Sequence, residues 1–579
     1  MLTGGQLLGR CLENLGVREI WGTSGHSNVA AIDGLLDTRI RYLSVRHEQV
    51  AAHAADGYFR AVHRPGVILV HNGPGLTNAL TGIGDAASDC SAVVVIAGDV
   101  ALRHEGRDAF QEISLHADAS QGETFRPLVK RAWRVHTLEA LPRVLVKAFT
   151  LATTGRPGPV LVSVPMDLLS RRGEFAPPDL TAHRPTGTRP RGDAVEIARA
   201  ARLLVEAERP VLHAGGGAIL AEAAEPLRAL AEHLGALVTT TMAGKGAMPE
   251  SHPLAAGTTG RAGTPVANAA AAGADVLLAL GTQFPEQDSS SWTPGFTFSI
   301  PPTRLIHVDV DAQQLGKIYP LEIGIVGDAR AVLEDLRAAV ADLVPPRDWR
   351  ESPRIAAVGR DKAAWLGLLA LLQTSAARPI RPERVLATVR SVLPAEGIIV
   401  GDVGWGKNGV SQQYLVERPQ TVFVASGYGT MGFAAAAALG ARVARPETPV
   451  VSLTGDGGLS SVLSALVTAV EHDVGVVWVV FNNAAYGAIA DLQRHHFGRG
   501  AGGDFVRADT GEPYALDFAA LARACGAAGR RVTQPDDLRP ALEDALASGR
   551  PAVLDVVVER QAAYQPTGYW DVGDIYAGR

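Results

Sequence analysis

Cysteine is nearly absent: three in 579 residues, at Cys11, Cys90 and Cys525. So few, so widely spaced, exclude a disulfide framework and a thiolate metal site, and in apolar surroundings they read as reduced structural thiols. An excess of one charge is missing too. The 54 Lys and Arg against 60 Asp and Glu leave a net charge of −6, with no basic stripe for nucleic acid and no acidic tail. Long apolar runs are lacking, since Ala434–Ala438 and Ala269–Ala272 are too short to span a bilayer. The first residues, Met1-Leu2-Thr3-Gly4-Gly5-Gln6, have neither the basic nor the apolar region of a secretory leader, and no short-period repeat is visible. The expectation is a soluble cytoplasmic protein with no nucleic-acid or membrane partner.

What is present is apolar content of 47%, ample for several cores. Two Pro-rich breaks divide the chain. Residues 171–193 carry Pro177, Pro178, Pro185 and Pro190; residues 344–381 carry Pro345, Pro346 and Pro379 around a helical piece near Ala363–Leu372. The reading is a domain over 1–170, a linker, a central domain over 194–343, a second linker, and a C-terminal domain over 382–579. Each domain alternates short apolar runs with amphipathic stretches, for example Gly66–Val70, Val276–Leu280 and Val476–Phe481. That rhythm predicts an α/β fold of three open parallel sheets.

The most specific stretch begins where Val450–Thr454 runs into Gly455-Asp456-Gly457-Gly458. A helical segment, Leu459–His472, leads to a second apolar run that ends in Asn482-Asn483. Strand, helix and parallel strand bring Asp456 and Asn483 to neighbouring carboxyl ends, where they suit a small hard cation such as Mg2+. Backbone N–H groups at Gly457 and Gly458 face an anion beside it. A metal bridging a diphosphate to the protein is the economical reading.

Together with other motifs, this spacing resembles the thiamine diphosphate (ThDP) enzymes of the acetohydroxyacid (acetolactate) synthase-like family. The motifs are Arg46-His47-Glu48-Gln49 with Ala55-Asp56-Gly57-Tyr58, His71-Asn72-Gly73-Pro74-Gly75-Leu76-Thr77-Asn78, Asp108-Ala109-Phe110-Gln111-Glu112, and Gly427-Tyr428-Gly429-Thr430-Met431-Gly432-Phe433. The similarity runs from about residue 5 to 560. It implies pyrimidine-binding, central Rossmann-like and diphosphate-binding domains. Glu48 would hydrogen-bond N1′ of the aminopyrimidine, near Pro74 and Asn78. The Gly429 carbonyl would receive the 4′-amino group, and Met431 would support the bent cofactor. Asp456, Asn483 and the Ala485 carbonyl would hold Mg2+, flanked by Tyr486 and Gly487. The loop Val403-Gly404-Trp405-Gly406-Lys407 would meet the diphosphate, although synthases show Q-H-Q where this chain has Trp405-Gly406-Lys407. The family builds each site from two subunits, implying a homodimer at the least and a homotetramer. Its central domain implies FAD in a structural role, with ADP or an empty domain as alternatives.

The chain departs from true synthases at substrate-selecting positions. Leu492-Gln493 replaces a Trp-Gln pair, and Phe284-Pro285-Glu286-Gln287 replaces F-D-D-R. Histidines enter instead: His26, in a Gly25-His26-Ser27-Asn28 loop similar to that of trihydroxycyclohexanedione hydrolase, and His71. Cyclohexane-1,2-dione hydrolase also has histidines at both loops. Glu48, His26, His71 and Gln111 are the candidate catalytic residues. One expectation is a decarboxylase and carboligase (lyase or transferase) acting on a small carbonyl substrate such as a 2-oxo acid. A C–C hydrolase of 1,2-diones is the alternative, and a non-catalytic ThDP-binding subunit a third. The tail, 564–579, reads as either an active-site lid or a docking segment.

Overall fold

The computed structural model describes residues 1–113, 120–183, 188–562 and 564–578; Pro185 of the first linker and Arg579 of the tail lie outside them. Three six-stranded, all-parallel sheets follow one another along the chain. The first contains β1 Glu19–Gly22, β2 Arg41–Ser44, β3 Gly66–Val70, β4 Val93–Asp99, β5 Ala132–Arg134 and β6 Val160–Pro165. The second contains β7 Pro210–Ala214, β8 Leu237–Thr240, β9 Ala255–Thr258, β10 Val276–Leu280, β11 Arg304–Asp309 and β12 Ile323–Val326. The third contains β13 Ile398–Gly401, β14 Val422–Val424, β15 Val450–Gly455, β16 Val476–Asn482, β17 Ala528–Val532 and β18 Ala552–Val557. Central strands such as β3, β4 and β16 are buried along their whole length, which is why they read as unbroken apolar runs.

The outer sheets share one strand order: β2-β1-β3-β4-β6-β5 in the first and β14-β13-β15-β16-β18-β17 in the third. The order reverses between β1 and β3, and again between β13 and β15. Connections leave such a point in opposite directions and open a crevice at the carboxyl ends. Both clusters of sequence motifs sit there. The middle sheet differs, with order β9-β8-β7-β10-β11-β12.

One apolar core runs through both outer domains, joined by helices α1 (Glu48–Val62) and α2 (Phe433–Ala444). Their facing residues are small: Ala51, Ala54 and Gly57 on one, Ala434 to Ala438 and Gly440 on the other, all buried. The backbones touch. A Cβ on Gly57 would lie 2.0 Å from the Ala437 carbonyl oxygen, and one on Gly440 only 1.7 Å from that of Ala54. Around this contact, Arg60 donates to both oxygens of Asp56 (2.7 and 3.0 Å), to Asp89 (2.9 Å) and to the Val424 carbonyl (2.6 Å). Asp89 accepts from the Ser426 and Gly427 amides at 2.8 and 3.0 Å, tying the first domain to the loop that leads to Met431.

Some details differ from expectation. The segment 459–472 is two helices, Asp456–Ser461 and Ser464–His472, because Val462 leaves helical geometry (φ −136°, ψ 38°) where its side chain meets Gly432. The 344–381 stretch holds a 21-residue helix, Pro353–Gln373, whose Ile355 joins the middle core. Cys90 is not in apolar surroundings: Arg156 Nε donates to its Sγ at 3.0 Å. Among the described residues no helix is long and apolar enough to cross a membrane.

Gly440→Ala is expected to cost about 3 kcal/mol, the upper range for overpacking, because backbone would have to give way rather than a side chain. Denaturant unfolding monitored by circular dichroism tests this. A loss below about 0.5 kcal/mol, the scale of a surface change, would show that the helix pair can slide apart.

Candidate active site

In the first sheet, Glu48 opens α1, where a carboxylate suits the helix N-terminus, and is 8% exposed. Its oxygens accept from Thr23 Oγ1 at 2.5 Å and Asn78 Nδ2 at 2.9 Å. Thr23 lies in the loop after β1. Asn28 staples that loop, accepting from the Gly25 amide and donating to the Thr23 carbonyl, both at 2.9 Å. Pro74 is the first residue of the helix Pro74–Ser88, behind Gly73 at φ 59°. His26 and His71 come together across the crevice, ring edge to face, with centroids 4.6 Å apart. Phe110 flanks His26 at 5.5 Å, and Gln111 Oε1 meets His71 Nε2. Burial, and then the neighbouring His71, push the His26 pKa down, favouring the neutral ring. His26, His71, Gln111 and Glu48 are thus gathered at one switch point.

At the matching point of the third sheet, Asp456 is 4% exposed and held by backbone. The Gly457 amide donates to one oxygen at 2.7 Å; those of Asn483 and Ala484 donate to the other at 3.1 and 2.6 Å. Ala484 adopts φ 54°, uncommon for a side-chain-bearing residue, and this turn aims both amides at Asp456. Asn483 follows β16 directly and Ala485 lies two residues on. Tyr486 packs over Gly457, where a Cβ would be 2.4 Å from its ring. Gly487 leaves room for the Asn483 amide, 2.8 Å from where its Cβ would be. Aspartate, amide oxygen and carbonyl form a hard-oxygen donor set of the kind Mg2+ takes. The Asp456 oxygen that accepts only from Gly457 keeps a lone pair beyond that bond, so the residues fit the ion.

Beside it, Asp402 reaches across the switch point, accepting from the Gly432 amide at 2.9 Å and Thr454 Oγ1 at 2.8 Å. It thereby fixes the loop of Gly429 (φ 71°) and Met431 against β15. Val403 and Gly404 (φ 77°) lead into the helix Trp405–Gln413. Gly406 faces the sheet, where a Cβ would be 2.5 Å from the Leu453 carbonyl, so no side chain from this position could reach a diphosphate. Lys407 is partly buried beside Asp288, Asp89 and Asp85, and burial pushes its pKa down. Trp405 Nε1 donates to the Ala562 carbonyl, tethering the start of the tail.

Three domain families match in order. Residues 2–120 match the thiamine pyrophosphate enzyme N-terminal TPP binding domain, 197–336 the central domain and 402–556 the C-terminal TPP binding domain. A probable acetolactate synthase large subunit of Methanocaldococcus jannaschii is 35% identical over 96% of this chain and 92% of its own. The chain belongs to the thiamine pyrophosphate enzyme family, in its acetolactate synthase-like group. The acetolactate synthase isozyme 3 large subunit of Escherichia coli is 33% identical, covering 96% and 95%. The large subunit of Corynebacterium glutamicum is 34% identical, covering 98% and 88%.

In this thiamine pyrophosphate enzyme the expectation of FAD finds no support. In the central domain the Gly257–Gly263 loop holds the chain's own tail: the Arg261 carbonyl accepts from the Thr567 amide at 3.0 Å, and Gly568 sits against the Gly260 carbonyl. Gly215 and Gly217 pack on Gly281, with Cβ positions 2.2 and 2.7 Å from its atoms, so strand-to-loop packing accounts for them. Phe284, Glu286 and Gln287 likewise hold structure. Phe284 is buried among His213, Phe298 and Tyr319, Glu286 accepts from Trp570 Nε1 at 2.8 Å, and the Gln287 carbonyl accepts from the Arg261 amide at 2.8 Å. Sequence reasoning missed Thr23, Ser27 and Asp402 as site builders. The signal for Ser27 was its place in the Gly25-His26-Ser27-Asn28 loop and for Thr23 its place just before that loop; for Asp402 it was the start of the diphosphate loop.

Burial raises the Asp456 carboxyl to about 6, with backbone hydrogen bonds from Gly457, Ala484, Asn483 and Ala485 opposing it. The protonated form is therefore favoured in the metal-free protein below about pH 6. That contribution to stability is complete below about pH 4 and lost as pH rises through about 6, whereas a bound cation requires the carboxylate. Added Mg2+ with ThDP should accordingly raise the thermal midpoint more at about pH 7 than at about pH 5. Equal stabilisation at both pH values, or the same pH trend in Asp456→Asn, would refute the role of Asp456.

Proposed function

We propose that this enzyme is a ThDP- and Mg2+-dependent decarboxylase and carboligase of 2-oxo acids, working as a homodimer at the least. The observation that carries the reading is the pair of matching switch points, one holding Glu48 and the other Asp456 with Asn483. Bound ThDP supplies a nucleophilic thiazolium carbon that adds to a carbonyl. Asp456, the Asn483 side-chain oxygen and the Ala485 carbonyl would hold Mg2+, and Val403 to Lys407 with Gly455, Gly457 and Gly458 would line the diphosphate. Glu48, positioned by Thr23 and Asn78, would exchange a proton with the aminopyrimidine N1′, beside Pro74. The Gly429 carbonyl and Met431 would orient that ring, with Tyr486 and Gly487 closing the metal side. His26, His71 and Gln111 would face the substrate carbonyl.

Two chains complete one site in this reading. Within a chain, the Ser44 carbonyl near Glu48 accepts from His472 at 3.0 Å, and Arg46 pairs with Glu471 at 2.6 Å. Both contacts lie before the amino end of β16, whereas Asp456 and Asn483 lie beyond the carboxyl ends of β15 and β16. The seven residues of β16 separate them by about 23 Å at the usual rise per residue. Exposed apolar side chains at both edges, Val29 and Phe110 on one, Ile489 and Val506 on the other, suit a subunit contact.

The ThDP- and Mg2+-loaded protein is expected to release CO2 from pyruvate, and Glu48→Gln to lower the rate by about 100-fold or more, the scale of a lost acid–base group. Undiminished CO2 release in the variant would reject the role of Glu48. The packed His26–His71 pair is the one observation favouring a dione hydrolase. Loss of cyclohexane-1,2-dione without CO2 release, sensitive to His26→Ala and His71→Ala, would replace the first reading with that one.

A further inference from the structure

Ser27 is 1% exposed and forms the middle of a hydrogen-bond chain. Its Oγ lies 2.6 Å from His71 Nδ1 and accepts from the Asn72 amide at 3.1 Å. The hydroxyl is pinned from behind by Gly98 in β4, where a Cβ would be 2.2 Å from it. Gly25 closes on the His71 ring in the same way, its Cβ position 2.5 Å from Cγ. On the other side of the ring, Nε2 meets Gln111 Oε1. Gln111 is set from its backbone: φ is 64°, and its carbonyl accepts from Asn72 Nδ2 at 3.0 Å.

The polarity of the chain follows from its protons. Ser27 Oγ already accepts from Asn72. Among the described residues, the acceptor within hydrogen-bond distance of its own proton is His71 Nδ1. A buried hydroxyl left without an acceptor is unfavourable, so Nδ1 accepts and the neutral ring carries its proton on Nε2. That N–H donates to Gln111 Oε1. The Gln111 amide must then turn its oxygen to the histidine, leaving its NH2 group to donate elsewhere.

We propose that Ser27 is a positioning residue that, by selecting the Nε2–H tautomer of His71, holds Gln111 as a hydrogen-bond donor to an acceptor oxygen of the substrate. The oxygen is that of a carbonyl or carboxylate, as a 2-oxo compound would present. This substrate contact rests on the proposed function; the link from Ser27 to the tautomer does not.

The first test is 15N NMR of histidine-labelled, full-length protein, with the His71 signal assigned by its loss in His71→Gln. The expected result is a neutral Nε2–H ring in the unmodified protein, shifting toward Nδ1–H in Ser27→Ala. An Nδ1–H ring in the unmodified protein overturns the proposal, even where the variant fails to fold. The second test is a double-mutant cycle on the ThDP- and Mg2+-loaded enzyme. Ser27→Ala should lower kcat/KM for pyruvate by about tenfold, the scale of one lost hydrogen bond, with the concentration of ThDP for half activation unchanged. Ser27→Thr, which keeps the hydroxyl, should recover most of it. Added to Gln111→Ala, Ser27→Ala should cause no further loss; a full tenfold loss there overturns the proposal. An enzyme inert toward 2-oxo acids but showing the Nε2–H tautomer would reject the proposed function and leave the relay standing.

Discussion

Two helices that meet backbone to backbone hold the outer sheets in register, and both halves of the candidate site hang from them. Glu48 is the first residue of α1, and the Gly429–Met431 loop runs directly into α2. Alanine and glycine at the contact bury little area each, so its strength lies in close dispersion contacts over the whole face. Such a joint has almost no slack. It is flanked by groups that are costly to bury unless paired: Arg60, Asp56 and Asp89 satisfy one another, while His53 Nδ1 and Asp85 Oδ2, 3.6 Å apart and fully buried, have no hydrogen bond. Burial pushes His53 down to about 4 and Asp85 up to about 7, so a neutral pair is the state the joint favours between those values.

The carboxylates illustrate how position sets character. Asp402 and Asp456 are both raised to about 6 by burial, with hydrogen bonds opposing the shift in each case. The Asp402 bonds lead to its own chain's Gly432 and Thr454, so it works as a brace between loops. The Asp456 bonds come from backbone amides that fix its orientation, two on one oxygen and one on the other, which keeps a lone pair for a cation. A buried acid that neutral protein tolerates poorly as an anion gains most from a divalent ion, because the ion removes the unfavourable charge as it binds.

The placement of the candidate residues was legible because strand–helix–strand spacing fixes where they fall: Glu48 at a helix start, and Asp456 and Asn483 at consecutive parallel strand ends. The sheets were legible because buried parallel strands are unbroken apolar runs. The common strand order of the two outer domains was not, since topology rests on which strands pair, and no local pattern records that. Nor was the break at Val462, which depends on Gly432 from a distant loop. Ser27 escaped notice beside its histidine neighbours because a serine has no distinctive pattern; only its place against Gly98 and His71 gives it a role.

The departures from the synthases acquire a physical meaning once the tail is in view. Glu286 and Gln287, which stand at the last two positions of the F-D-D-R stretch, serve the contact between the middle domain and residues 567–571. Arg261 joins them, its guanidinium 4.0 Å from the Trp570 ring centroid. Ser290, Ser291 and Trp292 take three successive left-handed backbone conformations at this contact, and Ser290 and Ser291 accept from the Tyr569 and Asp571 amides. Strain of this kind persists only where surrounding contacts outweigh it, here stacking and hydrogen bonds to the tail. The Glu286 carboxylate, which accepts from Trp570 of the tail and from Ser291, is committed to holding the tail. On the proposed function, recognition of the substrate carbonyl falls to His26, His71 and Gln111 at the first switch point.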